Sequence, residues 1–223
     1  MTTEHHLQLP VSEEQIRQLN LGDIVYLSGL VHTMRDMGHR RAIEMLHRGE
    51  ELPFDLNNGA IWHCGPITRK NTEGKWQVLS AGPTTSSRFN ELGPELMKAF
   101  QVRCTIGKGS LNTKARETIR DIGGFFLAAT GGCGALYAGQ VEEVESVYWM
   151  DLGMPEAVWV ARVNNLGPLI VGIDSNGNSL VEKITQAMQD RLVFIYEQSG
   201  ISASRDLAYL PKRVVAKGSR RND

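Results

Sequence analysis

Gln101–Ala129 reads QVRCTIGKGSLNTKARETIRDIGGFFLAA, and its parts decide the fold class. Gln101–Ile106 is an apolar run of strand-forming residues that stops at Gly107-Lys108-Gly109. Asn112–Ile122 has apolar residues at helical spacing. Gly123–Thr130 brings a second apolar strand, Phe125-Phe126-Leu127-Ala128-Ala129. It leads into Gly131-Gly132-Cys133-Gly134 and a short helix to about Gly139. Strand, turn, helix and strand in this order predict an α/β fold with parallel strands.

Immediately upstream, Glu91–Phe100 reads as a helix, with Pro94 suited to a first helical position. Before it stands Gly82-Pro83-Thr84-Thr85-Ser86-Ser87-Arg88. Glycine and proline set a turn where a strand hands over to a helix. Thr84, Thr85 and Ser86 are capping residue types, and a helix N-terminus presents unpaired N–H groups to an anion. Arg88 is the residue type that grips a carboxylate through two parallel hydrogen bonds. Lys108, between two glycines, adds a point charge. The same pattern also describes a capped surface helix with solvated charges, and GPTTSSR by itself does not choose between the two. Ala60–Cys64 and Trp76–Ser80, with the polar turn Asn71–Lys75 before the second, read as a hairpin or as neighbouring strands.

Nearer the N-terminus, Ser12 and Gln15 form a capping box for a helix near Ser12–Leu19, and Ile24–Leu30 is a strand. A helix then runs to about Arg48, with Arg35, Asp36, His39 and Arg40 near its start. Asp36, His39 and Arg40 lie three and four apart and share a face. Two arginines at a helix N-terminus oppose the helix dipole. Anion binding explains that placement; a solvated basic face is the other reading. Towards the C-terminus, Val144–Trp149, Ala157–Val163 and Leu169–Ile173 read as strands, the last two joined through Asn164–Pro168. A final helix covers about Ser179–Gln198. Residues 1–10 read as a flexible start, 11–199 as a single domain, and 200–223 as a basic tail, flexible or facing a partner.

The chain has 223 residues, 41% apolar and 22% charged, with a formal net charge of -1. That composition supports an ordinary core and argues against a general nucleic-acid or membrane-surface binder. The first ten residues lack the charged-then-apolar layout of a secretory signal, so a soluble cytoplasmic protein is expected. Cys64, Cys104 and Cys133 are odd in number and widely spaced, which argues against a disulfide framework. Three cysteines are also the number that holds an iron–sulfur cluster with one open iron.

In order along the chain stand GDIVYLSG, RDMGHRR, LPFDL, GPTTSSR, IGKG, LGMPEAVWV and GPLIVGIDSNGN. On these stretches, which span most of residues 20–180, the sequence resembles the β subunit of two-subunit class I iron–sulfur fumarate hydratases and L(+)-tartrate dehydratases. In single-chain members of the family the same unit is the C-terminal domain. AIWHCGPITRK, followed by KW, is similar to the tartrate type. The resemblance implies a swivelling β/β/α domain, with mixed sheets and flanking helices. It also implies hydro-lyase chemistry on a 2-hydroxy dicarboxylate, as in malate to fumarate or tartrate to oxaloacetate.

The resemblance further implies a four-iron four-sulfur cluster held by an α subunit rather than by this chain, whose open iron acts on the leaving hydroxyl. The three cysteines are then structural, and the chain alone is inactive. Further dimerisation of the αβ unit is expected. The family's substrate contacts fall on Arg35, Thr84, Arg88 and Lys108. Arg35 and Arg88 would hold carboxylates, and Lys108 would bind carboxylate or stabilise the charge that develops when the C3 proton leaves. Thr84 is the family's candidate for proton abstraction. His39 is the natural acid or base near neutral pH, or else a capping or packing histidine. The isolated chain should expose an open pocket, positive on one face. A stand-alone dicarboxylate-binding or regulatory module without catalysis is the reading from another class. A self-sufficient cluster enzyme using the three cysteines is a third.

Overall fold

Side chains along a strand alternate between two faces, and here both faces of the central strands meet apolar neighbours. The computed structural model describes residues 2–199. In chain order it runs β1 (Glu4–Gln8), α1 (Glu13–Gln18), β2 (Ile24–Thr33), α2 (Asp36–His47), β3 (Ala60–Trp62), β4 (Ile67–Lys70) and β5 (Trp76–Ser80). It continues with α3 (Gly93–Ala99), β6 (Cys104–Gly107), α4 (Thr113–Ile122), β7 (Phe125–Ala128), α5 (Gly134–Ala138), β8 (Val141–Tyr148), β9 (Val158–Ile173) and α6 (Leu180–Gln198). Strands β2, β3, β6 and β7 lie side by side and parallel. β9 is antiparallel to β7, to β8 and to β2, so β2, β3, β6, β7 and β9 close into a ring. This is a mixed α/β architecture of sheets with flanking helices, as the sequence led us to expect.

Alternation then divides the core in two. Leu27, Val31, Trp62, Ile106, Phe125, Leu127 and Leu169 fill one side of the strands. Their chain neighbours Ile61 and Phe126, with Val158 and Ile173, turn to the other side. There they meet Ile43 of α2, Leu96 of α3 and Ile119 of α4. Local signals set the helix limits. The Ser12 and Gln15 capping box opens α1, the Asn112 side chain accepts the Ala115 N–H at the start of α4, and Gly123 ends α4 in a left-handed conformation.

Three expectations change. Glu4–Gln8, read as a loose start, pairs with Ile24–Ser28 as a parallel edge strand. Trp76–Ser80 pairs with Ile67–Lys70 instead of with β3. Asn71 closes that hairpin by accepting the N–H groups of Glu73 and Lys75, whereas β3 is buried at every residue between β2 and β6. The two strands expected around Asn164–Pro168 are one strand of 16 residues, because bulges opposite Val25–Gly29 absorb the irregular segment without ending the pairing.

The chain divides into two compact units, Met1–Ser179 and a second beginning at Leu180. The boundary lies inside the span 11–199 that reads as one domain. The basic tail at 200–223 lies outside the described residues. Among the described residues no helix is long and apolar enough to cross a membrane.

Asp23 fastens β1 to the body of the first unit. Its buried carboxylate accepts the Thr3 N–H at 3.0 Å, the Asn20 N–H at 2.9 Å and His5 Nε2–H at 3.0 Å. Removing it strands those donors, so Asp23→Ala is expected to cost about 2–4 kcal/mol in urea unfolding. A loss within about 0.5 kcal/mol, the range of ordinary surface changes, would show that β1 is held by other means.

Candidate active site

Four parallel strands end along one edge, and the turns that follow carry side chains out of the sheet there. β2 hands over through Met34-Arg35 to α2. β3 leads to His63-Cys64-Gly65, β6 to Lys108, and β7 to Thr130-Gly131-Gly132. The segment Pro83–Ser86 is threaded between the ends of β3 and β6. Cys64 bridges to Pro83 and Thr85 to Lys108. The Thr84 N–H donates to the His63 carbonyl at 2.7 Å, the Lys108 N–H to the Thr84 carbonyl at 3.1 Å, and the Ser86 N–H to the Lys108 carbonyl at 2.9 Å.

This geometry corrects the expectation of an anion-binding helix start. GPTTSSR opens no α-helix; Ser86–Phe89 is a single 3-10 turn, and Thr85 before it makes no capping bond. The amides of Thr84 and Ser86 are consumed by pairing. What the segment offers an anion is therefore side chains.

The two arginines are brought to neighbouring positions. Arg88 donates through Nε and Nη2 to the two carboxylate oxygens of Asp36 at 3.2 and 2.6 Å, which draws it to the chain neighbour of Arg35. Arg35 itself lies against Gly65. A Cβ there would sit 2.6 Å from Arg35 Cδ and 2.6 Å from the Pro155 carbonyl, so only glycine leaves Arg35 its path. Arg35 Nε is 3.3 Å from Glu156 Oε1, and the other Glu156 oxygen accepts the Met37 N–H at 2.8 Å. Lys108 is half-buried, with its stem beside Gly131, where a Cβ would lie 3.1 Å from Lys108 Cδ. Thr84 is half-buried and Arg88 exposed. The expected bare positive face is thus partly neutralised: both arginines meet carboxylates of their own chain, while Lys108 makes no ion pair with the described residues.

His39 does not join this edge. It is 1% exposed, and its Nδ1–H donates to the Arg35 carbonyl at 2.9 Å. Its ring stacks on Phe89 at 4.4 Å, and burial pulls its pKa from 6.5 down to about 4. A neutral, enclosed imidazole tethered to a backbone carbonyl serves here in packing and capping. Beneath the edge lies His63, which sequence reasoning did not single out. It is also buried, its Nδ1 is 2.9 Å from Ser86 Oγ, and burial, with His39 nearby, holds its pKa well below 6.5.

The cysteines do not form a cluster site. Cys64 and Cys104 are buried in the apolar core, and burial pushes the Cys64 thiol up to about 12 and Cys104 higher still. Among the described residues no group of three His, Cys, Asp or Glu is placed to hold a metal ion. Two concavities lie elsewhere. One of about 1010 Å³ runs between β5 and β8, and one of about 480 Å³ lies over β2, β8 and β9. Neither is lined by Arg35, Thr84, Arg88 or Lys108, which stand on an open edge.

Comparison with known proteins gives this edge a context. The family model described as Fumarase C-terminus matches residues 2–184. A Methanocaldococcus jannaschii protein named "Putative L(+)-tartrate dehydratase subunit beta" is 45% identical over 183 residues, covering 82% of this chain and 93% of that protein. The L(+)-tartrate dehydratase subunit beta of Escherichia coli K12 is 40% identical over 192 residues, 86% of this chain and 94% of its own. A longer Geobacillus stearothermophilus protein named "Putative fumarate hydratase class I" is 40% identical over 186 residues, 83% of this chain but 35% of its own length.

The two buried histidines predict an acid-sensitive fold. Each is neutral when folded and gains a proton more easily when unfolded. Stability is therefore full above pH 6.5 and falls as the pH drops from there towards about 4, by roughly 3 kcal/mol for His39 alone. Urea unfolding at about pH 7.5 and about pH 5 measures the slope. His39→Phe should flatten it, and an unaltered slope in that variant would assign the effect to other groups.

Proposed function

The chain belongs to the Fumarase C-terminus family, and on that premise we propose that it is the β subunit of a hydro-lyase. Its substrate is a small 2-hydroxy dicarboxylate, with tartrate to oxaloacetate and malate to fumarate as the two candidate reactions. The observation that supports this reading is the threading of Pro83–Ser86 between β3 and β6, which ties Thr84 to Lys108, with Arg88 bound to Asp36 next to Arg35.

A dicarboxylate has two anionic ends, and this edge has cations for both. Arg35 and Arg88 bind carboxylate oxygens by charge-assisted hydrogen bonds. Each is already oriented by a carboxylate of its own chain, and each retains further N–H donors for substrate. The Lys108 ammonium faces the carboxylate next to the carbon that loses its proton. Charge grows on that carboxylate as the C–H bond breaks, so the ammonium stabilises the transition state more than the ground state. Thr84, whose carbonyl accepts the Lys108 N–H, adds a hydroxyl. It donates a hydrogen bond to substrate, or yields a proton-accepting alkoxide if the cations lower its pKa enough. With His39 enclosed, Thr84 is this chain's acid–base candidate.

The open edge calls for a second wall. The subunit names of the relatives support an α subunit as the partner that supplies it. The iron–sulfur cluster implied by the family is assigned to that partner, since Cys64 and Cys104 are buried and no three ligating side chains are grouped among the described residues. Pairing of αβ units and a cytoplasmic setting complete the reading.

The test is anaerobic assay of the chain assembled with its α subunit on L-tartrate, L-malate and fumarate. Arg88→Ala should raise KM, and Lys108→Ala should lower kcat, each by about a hundredfold or more in kcat/KM. The chain alone should show no turnover. Full activity in both variants would remove the site assignment.

A further inference from the structure

We propose that His63 and Ser86 are positioning residues for the dicarboxylate site, holding the Thr84–Arg88 segment in register with Lys108. The inference rests on the site assigned above and adds two residues that touch no substrate.

Ser86 is fully buried and His63 nearly so, and Ser86 Oγ lies 2.9 Å from His63 Nδ1. Both are also bound through their backbones to the segments they join. The His63 N–H donates to the Ile106 carbonyl at 2.8 Å, and its carbonyl accepts the Thr84 N–H; the Ser86 N–H donates to the Lys108 carbonyl. The side-chain bond therefore closes a small ring that includes β3, β6 and the threaded segment. Gly107 completes the device. A Cβ at that position would lie 1.9 Å from Ser86 Oγ and 3.0 Å from His63 Nδ1, so the hydroxyl occupies the space that the missing side chain leaves.

The same packing reaches Arg35. Phe89 lies 4.2 Å from the His63 ring and stacks at 4.4 Å on His39, whose Nδ1–H holds the Arg35 carbonyl. The cavity left beside these rings is about 10 Å³, at the lower limit for one water, so the rings have little room to shift. The spacing between the two arginine-bearing segments is set by this block and not by the exposed ion pairs.

The test uses the assembled αβ enzyme with Ser86→Ala, His63→Leu, the double variant, and His63→Asn, whose amide reaches the place of Nδ1. Rates are taken per assembled complex, with thermal unfolding measured beside them. The expected result is a loss in kcat/KM on the order of tenfold to a hundredfold in each single variant. The double variant should be no worse than the worse single, and His63→Asn should recover most of the loss. Losses that multiply in the double variant, or kcat and KM left within about twofold while only the melting temperature falls, would overturn the proposal. Arg88→Ala and Lys108→Ala run in parallel. Activity lost in those but kept in the His63 and Ser86 variants sinks the positioning role alone; activity kept in those sinks the site itself.

Discussion

The exposed ends of two parallel strands depend on one constraint: their backbone groups need partners. β3 stops after three residues and β6 after four. Beyond them the chain would leave N–H and C=O groups unpaired near the core, which is costly. The threaded Pro83–Ser86 segment meets that need, taking bonds from both ends at once. In doing so it fixes Thr84 and Arg88 on one side and Lys108 on the other. The proposed site thus draws its frame from satisfied strand ends, in backbone pairing rather than in long, flexible charged side chains.

The cations themselves are held less tightly. The Arg88–Asp36 pair is bidentate, but its side chains are 46% and 34% exposed. Such a pair contributes little to stability, since water screens it and ordering two long side chains costs entropy. That weakness suits a binding residue. In the proposed site Asp36 would orient the guanidinium, and a substrate carboxylate would share it. Arg35 is more enclosed, confined by Gly65 and Pro155, and Glu156 ties its surroundings to the first turn of α2. The two arginines therefore differ in kind: one is a fixed wall and the other an adjustable arm.

Much of this was legible in the sequence, and the parts that were not share a cause. Helix limits follow from local chemistry, and Ser12 with Gln15 announced the start of α1. Arg35, Thr84, Arg88 and Lys108 could be marked as an anion-binding set by residue type and by resemblance. What sequence could not reveal was non-local. Asp36 and Arg88 are 52 positions apart, and His63 and Ser86 are 23 apart. GPTTSSR was misread for the same reason. Its residue types favour a helix cap, yet the open ends of β3 and β6 compete for the same amides, and tertiary pairing wins. His39 went the other way: its chemistry suggested an acid or base, but an imidazole is as useful for packing against Phe89 once it is buried neutral.

The distribution of charge also fits the proposal that a second chain completes the site. Arg35, Arg88 and Lys108 bring three positive charges, and Asp36 and Glu156 return two negative ones. The remaining single charge at Lys108 cannot by itself neutralise a dicarboxylate, so the edge alone should bind one weakly. Excluding water with a second wall would strengthen every one of these contacts by lowering the local dielectric. It would also make the Asp36 and Glu156 pairings more costly to break, which favours a substrate that shares the guanidinium groups over one that displaces the carboxylates. An edge with pre-oriented, half-neutralised arginines, and a lysine without an ion pair among the described residues, therefore fits the proposed pocket closed by a second chain.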